Sequence, residues 1–185
     1  MQEFSSLVVL LIVATFCLSV LIFQLLTGVP PVSSSTLEAA AVVALLKQAS
    51  LPKQAIVYEL GSGWGSLVIA LARAFPEARI RGIETSPLPY WVARIRTANM
   101  PNVFLQRSNF HESDLQDAHA VTCYLMIKPM RKLAAQLDRM LKPGTPVVSL
   151  TFRFRDREVA AVAQGPGLPG TAALYFWPAH QGQVR

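Results

Sequence analysis

One short run of residues has the types and the spacing to hold a ligand. Glu59, Gly61, Gly63 and Gly65 alternate along the chain, with Ser62 and Trp64 between the glycines. Before them Ile56-Val57-Tyr58 is apolar and β-prone, and after them Ser66 to Phe75 has a helical pattern. Strand, glycine turn and helix N-terminus together make a cradle for a nucleotide-like ligand, because unpaired backbone N–H groups converge there. Gly61 and Gly63 let the chain turn sharply with no Cβ in the way, and Gly65 lets the helix start pack closely. The spacing departs from the dinucleotide fingerprint G-x-G-x-x-G: the third glycine comes one residue early, and Ser66 stands where it is required. A carboxylate at Glu59 suits a ligand carrying an ammonium group and suits a pyrophosphate badly.

A second acid strengthens the reading. Ala78 to Glu84 reads as a strand ending in a carboxylate, which supports binding of a nucleoside without choosing among cofactor classes. E-x-G-x-G-x-G followed by such a strand resembles the first motifs of the class I S-adenosylmethionine-dependent methyltransferases. That resemblance implies S-adenosyl-L-methionine as cofactor, a Rossmann-like sheet, and Glu84 on the ribose hydroxyls. It also implies an acid or amide after the third strand to meet the adenine amino group, with an apolar neighbour against the ring. Arg107-Ser108-Asn109-Phe110 offers Asn109 for the first role and Phe110 for the second. Taken alone, the same residues read as a loop with an asparagine turn. Trp64 reads either as a shield over the cofactor or as a lid on the sheet edge.

The elements that must position these residues follow from pattern. Thr36 is placed to cap a helix running to about Ala49. From Ala55 onward strand and helix alternate, which argues for a parallel sheet covered by helices. Strands are expected at Ala55–Leu60, Ala78–Glu84, Val103–Gln106, Ala120–Met126 and Pro146–Phe154. Helices are expected at Ser66–Phe75, from Pro87 to about Asn99, and from Pro129 to Leu141. Glu158–Ala163 and Thr171–Trp177 flank a Gly/Pro-rich turn and read as an antiparallel hairpin. The fold class is therefore α/β, mainly parallel, with a C-terminal hairpin.

The chain has 185 residues, enough for one domain with a real core. It carries 17 basic and 11 acidic residues, a formal charge of +6. Leu7 to Leu26 holds no charge and is long enough to span a bilayer as a helix. A cleaved signal peptide fits less well, since Met1 to Ser6 contains Glu3 and neither Lys nor Arg. These features predict a transmembrane anchor over 1–28 and a linker with a pre-domain helix over 29–54. The ligand-binding domain then covers 55–185. They also predict contact with membrane lipid through residues 7–26 and a catalytic domain on the cytoplasmic side, or the matrix side in a mitochondrion. All 17 basic residues follow the apolar segment, in line with that orientation. Cys17 and Cys123 read as small apolar residues, and His111, His119 and His180 show no metal-ligand spacing.

The chain as a whole resembles a narrower group, the small single-pass membrane lysine methyltransferases related to those of ATP synthase c subunit and adenine nucleotide translocase. The resembling features include the apolar N-terminal segment, Val29-Pro30, Glu59-Leu60-Gly61-Ser62-Gly63 and Gly82-Ile83-Glu84-Thr85-Ser86-Pro87. Tyr124-Leu125 with Pro129, and Pro143-Gly144 before Val147-Val148-Ser149, extend the match. Two positions depart: Trp64 stands where the eukaryotic members usually carry an acid, and Asn109 where they carry aspartate. The resemblance implies methyl transfer by direct displacement to a lysine of a membrane protein, with a desolvated, neutral lysine as nucleophile. The Asn-Pro-Pro-Tyr motif of many nitrogen methyltransferases is absent, so Tyr124 is the candidate for orienting the amine; the competing reading is a core or rim tyrosine. Other readings are a methyltransferase for a small acceptor, a module that binds the cofactor without catalysis, and a nicotinamide-dependent oxidoreductase, which Glu59 and Ser66 disfavour. Arg153, Arg155 and Arg157 alternate as a nucleic-acid stripe would, but a lipid-facing or solvated face is preferred, and no nucleic acid partner is expected.

Overall fold

A computed structural model describes residues 6–11, 14–15, 35–125, 127–163 and 171–179. The chain divides into two units, Met1–Val32 and Ser33–Arg185.

In the first unit, residues 6–11 and 14–15 are helical, and most of the expected span Leu7–Leu26 lies outside the described residues. Among the described residues no helix is long and apolar enough to cross a membrane. The expected single-pass placement, with the catalytic domain on the cytoplasmic side, is corrected on that ground. A span needs ~20 consecutive apolar residues in one helix, and the described helical runs are far shorter.

The second unit is a seven-stranded sheet in the order β3-β2-β1-β4-β5-β7-β6. The strands are β1 (Ile56–Leu60), β2 (Arg79–Glu84), β3 (Val103–Arg107), β4 (Ala120–Cys123), β5 (Thr145–Leu150), β6 (Ala161–Ala163) and β7 (Ala172–Trp177). The first five are parallel neighbours, and β7 lies antiparallel between β5 and β6. The C-terminal hairpin is thus present, with β7 inserted against the parallel sheet. The helices are α1 (Thr36–Gln48), α2 (Ser66–Ala74), α3 (Pro87–Arg96) and α4 (Ile127–Met140).

Two apolar cores cover the two faces. Ala39, Val42, Leu45 and Leu46 of α1 pack with Leu67, Val68 and Leu71 of α2 on one face. Leu133 and Leu137 of α4 pack with Leu60, Val121, Val147 and Tyr175 on the other. Each of these buried Val and Leu side chains contributes roughly 1.5–3 kcal/mol relative to leaving it in water. The cap of α1 lies one residue before the expected Thr36. Ser35 is the N-cap, its Oγ accepting from Glu38 N–H at 3.2 Å while Glu38 Oε2 accepts from Ser35 N–H at 2.7 Å.

Strand order reverses between β1 and β4, the position at which open α/β sheets bind ligands beyond the carboxyl ends of their strands. Strand β5 ends at Leu150, four residues before its expected end. Thr151 adopts φ 69°, a left-handed conformation that a β-branched residue resists, and the chain leaves the sheet there. Phe154 is consequently a buried core residue beyond the strand, with its ring edge-on to Tyr175 and Trp177. Strand β4 likewise ends at Cys123, and Met126 lies outside the described residues.

Candidate functional site

The glycine turn follows β1 at the strand-order reversal. Gly61 N–H and Ser62 N–H both donate to Ile83 O at 2.9 Å, which ties the turn to the end of β2. Gly65 is the N-cap of α2 at φ 80° and supplies no side-chain cap. A Cβ added at Gly65 would lie 2.9 Å from the Ala93 Cβ and 3.3 Å from its Cα, so the helix start and α3 approach too closely for any side chain there. At Gly63, also in a left-handed conformation (φ 50°), an added Cβ would meet nothing within 4 Å. The turn is therefore packed on its Gly65 side and open on its Gly63 side, where a ligand has room.

Two carboxylates converge on this turn. Glu84 Oε2 accepts from Gly63 N–H at 2.8 Å, and Oε1 accepts from Ser86 N–H at 2.7 Å. Glu84 thereby joins the glycine turn to the start of α3, and each oxygen keeps a further lone pair for a ligand hydroxyl. Glu59 is 3% exposed. The backbone N–H of Val68, in the first turn of α2, is the polar group that favours its charged form. Burial pushes the Glu59 carboxyl well above the usual carboxylate range; the nearby charge of Glu84 raises it further, and the Val68 N–H only partly offsets both. Glu59 Oε2 and Ser62 Oγ are buried with no hydrogen-bond partner within the protein. Buried polar atoms left in this state are uncommon in folded proteins, and a polar ligand with a cationic group would satisfy them.

The remaining candidates are placed less uniformly. Trp64 is half-buried, and its carbonyl accepts from Arg96 Nη1 of α3. Asn109 is the N-cap of a single 3-10 turn, Phe110–Glu112: its Oδ1 accepts from His111 N–H at 3.1 Å, and its Nδ2 donates to Glu112 Oε1 at 3.2 Å. The Asn109 side chain therefore has local partners already. Phe110 is half-buried beside the α4-side core, 4.3 Å from the His111 ring between centroids. Tyr124 follows the last residue of β4, half-buried against the core on the α1 and α2 face. Leu125, next to it, touches the glycine turn: its Cδ2 lies 3.0 Å from a Cβ built on Gly61.

Several residues have positioning roles that the sequence did not assign to them. Gly82 faces the turn from β2, and an added Cβ would meet Leu105, Val68 and Ser62 within 2.6–3.1 Å. Gln136 of α4 is buried, and its Nε2 donates to Phe110 O at 2.9 Å and Ser113 O at 3.3 Å, holding the loop after β3. A legible signal existed for Gln136: it is the polar member of the apolar stripe Leu133, Gln136, Leu137, Met140. Arg157 is neither lipid-facing nor solvated. Its side chain is 9% exposed, with Nη2 paired to Asp138 Oδ2 at 2.6 Å and the guanidinium 4.6 Å over the Trp177 ring. Among the described residues no group of three His, Cys, Asp or Glu side chains is arranged to hold a metal.

The comparisons with known proteins address the same region. The sequence family described as ANTKMT methyltransferase domain matches residues 59–161. A protein-lysine N-methyltransferase of Saccharolobus islandicus (strain REY15A) is 32% identical over 149 residues, covering 74% of this chain and 88% of that protein. Among solved structures, an RNA methyltransferase from Salinibacter ruber in complex with S-adenosyl-L-homocysteine superposes with a TM-score of 0.71 at 29% identity, covering 83% of this chain and 98% of the other. A mutant of MtNAS in complex with S-adenosylmethionine superposes with a TM-score of 0.64 at 14% identity over 76% of this chain and 61% of that one, a likeness of fold alone.

Proposed function

The chain belongs to the ANTKMT methyltransferase domain family, and on that premise we propose that it methylates a lysine side chain of a protein. It is an S-adenosylmethionine-dependent methyltransferase. The lysine acceptor is supported by the protein-lysine N-methyltransferase relative, which this chain matches over 88% of its length. The observation that carries the cofactor assignment onto particular residues is the pair of acids at the glycine turn, Glu59 with an unpartnered buried oxygen and Glu84 bonded to Gly63 N–H.

In this reading Glu59 and the turn Gly61-Ser62-Gly63-Trp64-Gly65 hold the amino-acid end of the cofactor. The unpartnered Glu59 Oε2 and Ser62 Oγ suit its ammonium and carboxylate groups. Glu84 accepts from the ribose hydroxyls with its remaining lone pairs, while Asn109 and Phe110 border the adenine. Bound S-adenosylmethionine supplies a sulfonium-activated methyl group. The protein's work is then to align the acceptor nitrogen and exclude water. The acceptor lysine must arrive neutral, and desolvation at the site lowers its pKa toward that form. Tyr124, one residue beyond β4, orients the amine through its hydroxyl. No general base is assigned. A membrane-embedded acceptor is not part of this reading, because the anchor that motivated it is not supported.

The Salinibacter ruber structure favours one competing acceptor, RNA. Transfer of labelled methyl from S-adenosylmethionine into a mixed protein and RNA extract, followed by mapping of the modified site, separates the two. Label on lysine side chains is the expected result. Label confined to RNA would overturn the lysine reading and leave the cofactor assignment standing.

A further inference from the structure

A cleft of about 1030 Å³ opens between α4 and the segment 151–157 that leaves the sheet after β5. None of the cofactor candidates lines it. Its lining segment starts one strand over from Tyr124, at the carboxyl end of the sheet: β4 and β5 are parallel with Cys123 opposite Ser149, so the backbones of Tyr124 and Leu150 stand at the same level, although the Tyr124 side chain packs on the α1 and α2 face and the cleft lies on the α4 face. The cleft exists because the chain turns out of the sheet at Thr151 (φ 69°) and back at Asp156 (φ 59°). Strained backbone of this kind persists only where the surroundings hold it, and it gathers at functional sites. Here the hold is Arg157, which pins the end of the segment to Asp138 of α4 and to Pro178 O. Thr151 Oγ1 is buried without a partner within the protein.

The charge of the cleft selects its occupant. Arg131, Arg153, Arg155 and Arg157 line it against Asp138 and Asp156, a net +2. Arg157 and Asp138 neutralise each other. Arg131 on α4 and Arg153 and Arg155 on the segment are exposed and face the cleft from both sides. Its volume lies just above the ~300–1,000 Å³ range of small-molecule pockets, so a short stretch of polypeptide has room in it. Single-stranded nucleic acid binds by stacking bases on exposed aromatic faces. The two aromatic rings here are engaged inward: Phe154 is buried against Tyr175 and Trp177, and Phe152 packs on the α4-side core.

We infer that this cleft receives an acidic stretch of the acceptor protein next to its target lysine. The inference rests on the protein-lysine reading, and it assigns Arg131, Arg153 and Arg155 to recognition of acceptor carboxylates, apart from the methyl-transfer site.

The test is binding of a fluorescent acidic peptide that contains no lysine, measured by anisotropy on the full chain. Wild type should bind it, and Arg153→Glu/Arg155→Glu should weaken binding by about tenfold, since two attractive pairs become repulsive. Unchanged affinity of the cofactor in the same variant shows that the fold is intact. Should that variant fail to fold, Arg131→Glu on the exposed face of α4 replaces it, with a smaller loss expected. No binding by wild type, or equal binding by wild type and variant, overturns the inference. So does a single-stranded RNA of matched length that binds more tightly than the peptide and is lost on the same substitution. Failure of the lysine reading looks different: no labelled lysine in any protein, while the peptide still binds in an arginine-dependent way.

Discussion

Glu84 Oε2 accepts a hydrogen bond from Gly63 N–H at 2.8 Å, across two strand ends and a glycine turn. The acid proposed to hold the ribose is thus also the brace of the glycine turn. Its second oxygen accepts from Ser86 N–H, at the N-cap of α3. In the proposed site, binding and local structure share this one side chain, and substitutions of Glu84 have to be read with both in view.

Glu84→Ala should weaken S-adenosylmethionine binding by about 1–3 kcal/mol, from loss of charge-assisted hydrogen bonds to the ligand and loosening of the turn. Titration calorimetry measures it. Wild-type affinity in the variant would remove the ribose assignment.

Glu59 predicts a pH dependence of stability with a definite sign. Its folded carboxyl titrates well above the ordinary value of 4.5. Above that value the unfolded chain has released the proton and the folded chain has kept it. The stabilising contribution is therefore complete at low pH and is lost as pH rises from 4.5 through the folded pKa. Glu59→Gln keeps the shape and removes the titration, so its stability relative to wild type should rise with pH across that window. Denaturant unfolding at pH 5, 6, 7 and 8 (roughly spanning the range over which a buried carboxyl can be shifted) tests this, and parallel curves would show that Glu59 does not titrate there.

The two ends of the glycine turn should respond differently. Gly65→Ala drives a Cβ to 2.9 Å from the Ala93 Cβ at positive φ and should destabilise the fold by about 1–3 kcal/mol, read by chemical unfolding. Gly63→Val meets nothing in the protein itself and should fold, with a backbone cost of ~1–2 kcal/mol. The branched side chain there occupies the ligand's approach, so cofactor binding should be abolished. Normal binding by folded Gly63→Val would place the cofactor elsewhere.

Tyr124→Phe removes only a hydroxyl. If that hydroxyl orients the amine, kcat should fall by about tenfold, the worth of one hydrogen bond, with cofactor affinity unchanged. Steady-state kinetics on a labelled lysine acceptor decides it, and an unchanged kcat would return Tyr124 to a packing role.

The alternation of apolar strands and helices was enough to determine an α/β sheet, because hydrophobic period and glycine punctuation are local properties. The placement of Glu59, the glycine turn and Glu84 at strand ends was legible for the same reason, since strand ends can be read from pattern. The membrane span was read from the length of an uncharged apolar run and from its flanks, and the described helical runs at 6–11 and 14–15 do not extend to a bilayer-crossing length. Alternation also extended β5 too far, since Arg153, Phe154 and Arg155 fit a strand as well as a segment turned out of the sheet. Only the tertiary structure decided that outcome, because Phe154 is fixed by the rings of Tyr175 and Trp177 from the distant hairpin, and Arg157 by Asp138 across the cleft. The same holds for the proton on Glu59. Residue type says that it is an acid; only burial beside Glu84, with a single N–H from Val68 in return, raises its pKa. Desolvation is a property of the assembled surroundings, and no neighbour in sequence reports it.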